Sequence, residues 1–273
     1  MVKFRHNDVL DLDRVLGRLG HKPTLVVTEG VFSMEGDIAK LPEIKAVCER
    51  HDADLLLDDA HGVGVLGKHG QGTADHFNMT SEVEIIVGTF SKSLASIGGF
   101  VAASEPVIHY LKHNARALIF SASPPPASVA AVIAAIKIIQ EEPERRELLW
   151  RNTNFLRKGL QELGLDTGIS ETPIIPVVVG DGMTAFQICC MMQDEGVFVN
   201  PVVPPAVQPG QSLIRFSVMS THTIEQLAHA LDIIAKISKQ FYLETVHRAD
   251  HHPGEHSDGT AGIPAISVDR AGL

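Results

Sequence analysis

The sequence predicts an α/β fold, with a mostly parallel sheet in its first half and a smaller α+β unit in its second. Two observations carry this expectation. Short apolar runs at 24–28, 54–58 and 84–88 read as strands buried on both faces and alternate with segments of helical period, the pattern of a parallel sheet. From Pro124-Pro-Pro126 onward the pattern changes to long helices interleaved with short strands. A chain of 273 residues is near the upper limit for one hydrophobic core. Two unequal domains are therefore expected, over 1–125 and 126–245, followed by a tail at 246–273.

The elements follow in order. Asn7 or Asp8 can cap a first helix in which Val9, Leu12, Leu16 and Leu19 keep helical spacing, and Gly20 stops it. A strand at 24–28 leads into a turn-rich loop, Glu29-Gly-Val-Phe-Ser-Met-Glu-Gly-Asp37. Pro42 suits the first turn of a helix over 41–51. Strands at 54–58 and 84–88 enclose a glycine-dense loop from Gly62 to Gly72, and a further apolar run occupies 100–103. Helices are expected at 127–141, 144–163, 183–195 and 223–242, with strands at 174–179, 197–199 and 213–218. The tail is rich in Gly, His, Asp, Ser and Pro, which predicts disorder; its His247, His251, His252 and His256 read as solvated residues.

Composition excludes several classes. The hydrophobic fraction is 44% but only 5% is aromatic, so aliphatic side chains must fill the core. A formal charge of −10 argues against general binding to nucleic acid or anionic membranes, so an anionic ligand needs a local site. No apolar run reaches spanning length and the first residues lack a signal-peptide core. The three cysteines, Cys48, Cys189 and Cys190, have no metal-ligand spacing, which suits a reduced cytoplasmic protein.

Gly62-Val-Gly-Val-Leu-Gly67 fits the dinucleotide pattern G-x-G-x-x-G. That fingerprint needs a helix to begin there, and Lys68-His-Gly-Gln-Gly72 is no helix. The glycines are better read as permitting a close-packed loop. His109 and His113 have chelating spacing on a helix but no third ligand in register, so no metal is expected.

The informative pattern is positional. Ligands of open parallel sheets sit beyond the carboxyl ends of the strands. Ser33 follows the first strand, Asp58 and His61 the second, Thr89 and Lys92 the third. Lys92 lies between two apolar runs expected to be buried strands, where lost hydration would favour the neutral amine that Schiff-base chemistry needs. A lone Ser-Lys is otherwise an ordinary loop lysine with its head in water. The set of amine, carboxylate, imidazole and hydroxyls suits pyridoxal phosphate; strand-end polar residues equally mark an unspecified α/β enzyme.

At these residues the sequence resembles the α-oxoamine synthases, pyridoxal-phosphate enzymes of fold type I. The matching stretches are Phe4-Arg-His-Asn-Asp8, Glu29 to Asp37, Asp58-Asp-Ala-His-Gly-Val-Gly64, Gly88-Thr-Phe-Ser-Lys-Ser93, Gly98-Gly99, Phe120-Ser-Ala-Ser123, Arg215 and His222-Thr223. The resemblance implies a partial large domain with a mostly parallel sheet and a small C-terminal domain. By resemblance, Lys92 carries the cofactor and transfers protons, Asp58 pairs with the pyridine nitrogen, and His61 and Ser33 lie at its phenolic oxygen. Thr89 holds the phosphate, Ser121 adds to it from a second subunit of a homodimer, and Arg215 binds the substrate carboxylate. The implied reaction condenses glycine, alanine or serine with an acyl-CoA, releasing CoA and carbon dioxide. An aminotransferase or lyase of the same fold, or an inactive truncated subunit, are the competing readings. The resemblance also implies that a hundred or more residues of the family precede Phe4, including a glycine-rich phosphate loop and the group that stacks on the pyridine ring. Without them an open cofactor pocket and an exposed sheet edge are expected.

Overall fold

The computed structural model describes residues 1–20, 22–241 and 243. The first half holds α1 (Val9–Leu19), β1 (Thr24–Glu29), α2 (Leu41–Arg50), β2 (Ala53–Asp58), α3 (Thr73–His76), β3 (Ile85–Thr89), β4 (Gly99–Ala103), α4 (Glu105–Asn114) and α5 (Arg116–Ile119). Asp8 caps α1 by accepting the Asp11 amide, and Pro42 opens α2 where its missing N–H costs nothing.

The four strands form one sheet in the order β1-β2-β3-β4. The first three run parallel, each returned by a crossover connection. β4 pairs antiparallel with β3, because residues 90–98 are all that join them and a parallel return needs a longer crossover. The loop carrying Lys92 is therefore the end of a wide hairpin.

Burial corrects the expectation that these strands are covered on both faces. Val26, Leu55 and Leu57 point toward α1 and α2 and are 5%, 0% and 0% exposed. The alternate positions Leu25 and Val27 are 48% and 55% exposed, and Val101 on β4 is 42% exposed. Side chains alternate along a strand, so one face packs and the other stays open. An apolar run specifies that cover is favourable but not what supplies it.

The second half holds α6 (Pro126–Glu141), α7 (Glu144–Glu162), β5 (Ile174–Gly180), α8 (Gly182–Asp194), β6 (Asn200–Val202), β7 (Ser212–Ser217) and α9 (Ile224–Phe241). Its strands form an antiparallel sheet in the order β5-β7-β6. Pro176 and Pro201 lie on the two edge strands, where a missing N–H does not break the ladder. The strand expected at 197–199 lies instead at Asn200–Val202, since only that stretch reaches the β7 ladder; Val199 serves the core. Leu160, Ile175, Val177, Ile188, Met192, Ile214 and Ile234 are fully buried there. A third small cluster of Val31, Leu66 and Ile174, with Trp150 against it, joins the two halves.

Among the described residues no helix is long and apolar enough to cross a membrane. His109 and His113 lie on α4, where His113 Nδ1 meets the His109 carbonyl at 2.8 Å. Cys48 and Cys189 are buried, and burial pushes both thiols up to about 11. The tail expected at 246–273 lies outside the described residues.

Candidate active site

The ends of the parallel strands form one shelf. Glu29 is in register with Asp58, and Asp58 with Val87. The Gly30 amide donates to the Asp58 carbonyl and the Asp59 amide to that of Val87, both at 2.8 Å, so the ladder holds to the last residue. By strand alternation Glu29, Asp58 and Thr89 project on the same side as Val27, Leu56 and Val87. The sequence-identified carboxylate and hydroxyl thus finish the rows of the open face.

Ser33 sits in a loop tied down from several directions. Val31 bridges Ile38, and the Ser33 amide donates to Glu29 at 3.3 Å. The stretch Phe4 to Asp8 anchors the loop's far end. Asn7 donates to Asp37 and to the Ile38 carbonyl, each at 2.9 Å, and the Lys40 amide donates to Asn7. His6 also bonds Asp37, which holds the imidazole above its usual range. His6, Glu35 and Asp37 place ligand atoms within 4.8 Å of one another, but both Asp37 oxygens already serve this anchor. From the other half of the molecule, Thr172 and the Glu171 amide donate to the Gly36 carbonyl at 2.9 and 3.0 Å. Ser33 therefore lies at the seam between the halves.

The glycine-dense loop wraps a buried pair. Asp59 is fully buried and accepts the Thr73 amide at 2.7 Å and its hydroxyl at 2.6 Å. A Cβ on Gly62 would lie 2.0 Å from Asp59 Oδ1, and one on Gly72 would lie 1.9 Å from Oδ2. The glycines are there for that approach and not for a dinucleotide. Burial raises the Asp59 carboxyl above its usual range. The loop so fixed carries His61.

Lys92 lies in the hairpin end, where Phe90 donates to the Gly98 carbonyl and Ser96 to that of Phe90. Ala95 at φ 48° and Gly98 at φ 108° take the turns. The Thr89 hydroxyl meets Ser91 Oγ at 2.8 Å and accepts the Ser91 amide. The expected desolvation of Lys92 does not occur: its side chain is exposed, because the neighbouring β4 is itself an open edge strand.

His61 reports which groups converge. Its imidazole is lowered to about 4, first by burial, then by the positive charges of Lys92 and Arg215, with Asp58 opposing. The charges of Asp58 and Lys92 from the same half and of Arg215 from the other thus all act on His61. Arg215, on β7 between β5 and β6, is half-buried; its Nε has no hydrogen-bond partner and desolvation lowers it. Glu29 belongs to the same group: burial raises it, Asp58 raises it further, and Lys92 opposes. Glu29 has no assigned role in the sequence pattern; its place as the last residue of a strand, beside Asp58, is the signal that marks it. Ser121 is not drawn in. It follows α5, is exposed, and bonds back to the Ala117 carbonyl. His222 and Thr223 serve the start of α9, where Thr223 and Gln226 cap each other reciprocally.

The model of the Aminotransferase class I and II family matches residues 1–234. The chain belongs to that family. It is 51% identical over 247 residues to serine palmitoyltransferase of Sphingobacterium spiritivorum, covering 90% of this chain and 62% of the relative. It is 43% identical to 8-amino-7-oxononanoate synthase 1 of Bacillus velezensis, covering 88% of this chain and 62% of the relative. The fold matches a solved SPT with its PLP internal aldimine at TM-score 0.85 and 38% identity, over 89% of this chain and 62% of that one. The Sphingomonas wittichii serine palmitoyltransferase matches at TM-score 0.85 and 37% identity, over 89% and 61%. The family member described here thus spans somewhat under two thirds of the length of these relatives.

Proposed function

We propose that this chain carries the lysine-bearing part of a pyridoxal-phosphate enzyme that condenses a small amino acid with an acyl-CoA, releasing CoA and carbon dioxide. The observation that carries the reading is the placement of Asp58, His61 and Lys92 at neighbouring strand ends of one sheet, where Arg215 of the other half acts electrostatically on His61. The residues fit the cofactor: an exposed amine, a carboxylate at a strand end, hydroxyls at Thr89 and Ser91, and a buried guanidinium nitrogen without a partner. When bound, pyridoxal phosphate supplies the electron sink that lets an amino acid lose a group at its α-carbon.

The chain's own residues divide the remaining work. Lys92 Nζ would hold the cofactor and move a proton at the substrate α-carbon, the two roles of a nucleophilic and basic amine. Asp58 holds positive charge on the pyridine nitrogen. His61, kept neutral at physiological pH, and Ser33 offer hydrogen bonds to the phenolic oxygen. Thr89 takes the phosphate, with Ser121 of a second copy, which implies a homodimer. The guanidinium fork of Arg215 takes the substrate carboxylate, which supplies the partner that its Nε lacks. A cytoplasmic location suits substrates of this kind. The similarity to serine palmitoyltransferase favours serine and a long acyl chain. The open sheet face, with Leu25 and Val27 exposed, favours cover by a further apolar surface.

Incubation with pyridoxal phosphate followed by borohydride should fix the cofactor to the peptide containing Lys92, and Lys92→Ala should abolish the label. Label on another lysine overturns the assignment. Thiol release from short and long acyl-CoAs with glycine, alanine or serine then separates this reaction from that of an aminotransferase or lyase, which would release none.

A further inference from the structure

Where the Ser33 loop meets the second half of the molecule, one backbone carbonyl takes two donors. The Gly36 carbonyl accepts the Thr172 hydroxyl at 2.9 Å and the Glu171 amide at 3.0 Å. Gly36 and Thr172 are both buried, so a donor lost there is not replaced by bulk water. A Cβ on Gly36 would lie 2.2 Å from the Ile174 carbonyl oxygen, and φ 71° favours glycine there. Thr172 is also held from its own half: Arg157 of α7 donates to its carbonyl at 2.6 Å.

From this clasp the path to Arg215 is short and runs along paired backbone. β5 begins at Ile174, in register with Ser217 of β7, and Pro176 is in register with Arg215. The Val218 amide donates to the Pro173 carbonyl at 3.0 Å, so pairing extends to the residue after Thr172. Asn200 of β6 pairs with Arg215 from the other side. In the other direction, the loop that holds Gly36 leaves β1 at Glu29, in register with Asp58. Ile174 also packs on Val31 of that loop and on Leu66 of the glycine-dense loop beyond His61.

We propose that Thr172 is a positioning residue, whose bond to Gly36 sets where the Arg215 guanidinium stands relative to Asp58, His61 and Lys92. The inference rests on the reading of Arg215 as the carboxylate-binding group and extends it by naming what places that group. Asp58 and Lys92 belong to the same half as His61 and keep their places when the seam shifts. Arg215 is the charge that moves. His61 is thereby a gauge of the seam that needs no cofactor: burial, Lys92 and Arg215 lower its imidazole, and Asp58 opposes them.

The full chain would carry histidine labelled at a ring carbon, and His61 would be titrated by NMR from neutral pH down to the onset of acid unfolding. Loss of the signal in His61→Gln assigns it, and circular dichroism checks the folding of each variant. Thr172→Val and Thr172→Ala remove the hydroxyl with and without the side-chain bulk. Each should raise the His61 midpoint by about 0.5 pH or more. Thr172→Ser, which keeps the hydroxyl, should leave it unchanged. Arg215→Gln should raise it at least as far, and Thr172→Val added to Arg215→Gln should raise it no further. A midpoint that stays put in the folded hydroxyl-free variants overturns the proposal. So does a full further rise on the Arg215→Gln background, since the seam would then govern water access to His61 and not Arg215. Failure of both hydroxyl-free variants to fold overturns it too, because the bond would then hold the fold and not the placement of one side chain. Borohydride label on Lys92 with a titration indifferent to Thr172 defeats this inference alone. A coupled titration with the label on another lysine defeats the cofactor assignment alone.

Discussion

The two sheets have similar aliphatic sequences and opposite fates. Ile175 and Val177 on β5 and Ile214 on β7 are fully buried, because α8 packs on both strands and α7 and α9 close over the core. On β1, Leu25 and Val27 alternate with the buried Val26 and remain about half exposed. The C-terminal half completes its own core. The N-terminal half, which carries Asp58, His61, Thr89 and Lys92, completes only one face. What differs is cover on the second face: Ile174 of β5 packs against Val31 and Leu66 of the other half, whereas Leu25 and Val27 of β1 remain exposed on the face that ends at the candidate site.

The comparison can be broken or sharpened by substitution. The largest effect is expected in the closed core: Ile214→Ala should lower stability by about 2–5 kcal/mol in urea denaturation, from lost transfer energy and the cavity left behind. Gly62→Ala should come next, by about 1–3 kcal/mol, since its Cβ would collide with the buried Asp59 carboxylate. That loss would show that the N-terminal half holds itself together through the Asp59–Thr73 clasp and not through its open face.

A smaller, pH-dependent effect belongs to His61. Its folded value of about 4 lies below the ordinary 6.5, so the unfolded chain takes up this proton first as pH falls. The contribution is intact above about 6.5 and is lost progressively toward 4. Urea midpoints across that window should fall less steeply for His61→Gln than for the parent chain. The smallest effect is expected on the open face: Val27→Thr should change stability by no more than about 0.5 kcal/mol. A loss comparable to that of Ile214→Ala would mean that this face is covered in solution.

Much of the molecule was legible from short-range pattern. β1, β2 and β3 were read to within a residue because aliphatic runs between turn formers have few local alternatives. Asp58, His61 and Lys92 stood out for the same reason: each follows a strand whose end was readable, and in the structure the charges of Asp58 and Lys92 act on His61. β6 was misplaced because Val197 to Val199 has strand composition, whereas pairing with β7 fell to Asn200–Val202. The role of the glycines in holding Asp59 was hidden, since Thr73 meets it across a loop.

By itself, then, the sequence determined where β1, β2 and β3 lie and which polar residues follow them, Asp58, His61, Thr89 and Lys92 among them, since backbone period and turn chemistry are local. Tertiary structure alone decided that the charge of Arg215 acts on His61, that β4 turns back antiparallel, and that one sheet face stays open with Lys92 exposed at its edge. Those outcomes depend on which surfaces meet across the chain, and burial is a property of the meeting, not of either surface.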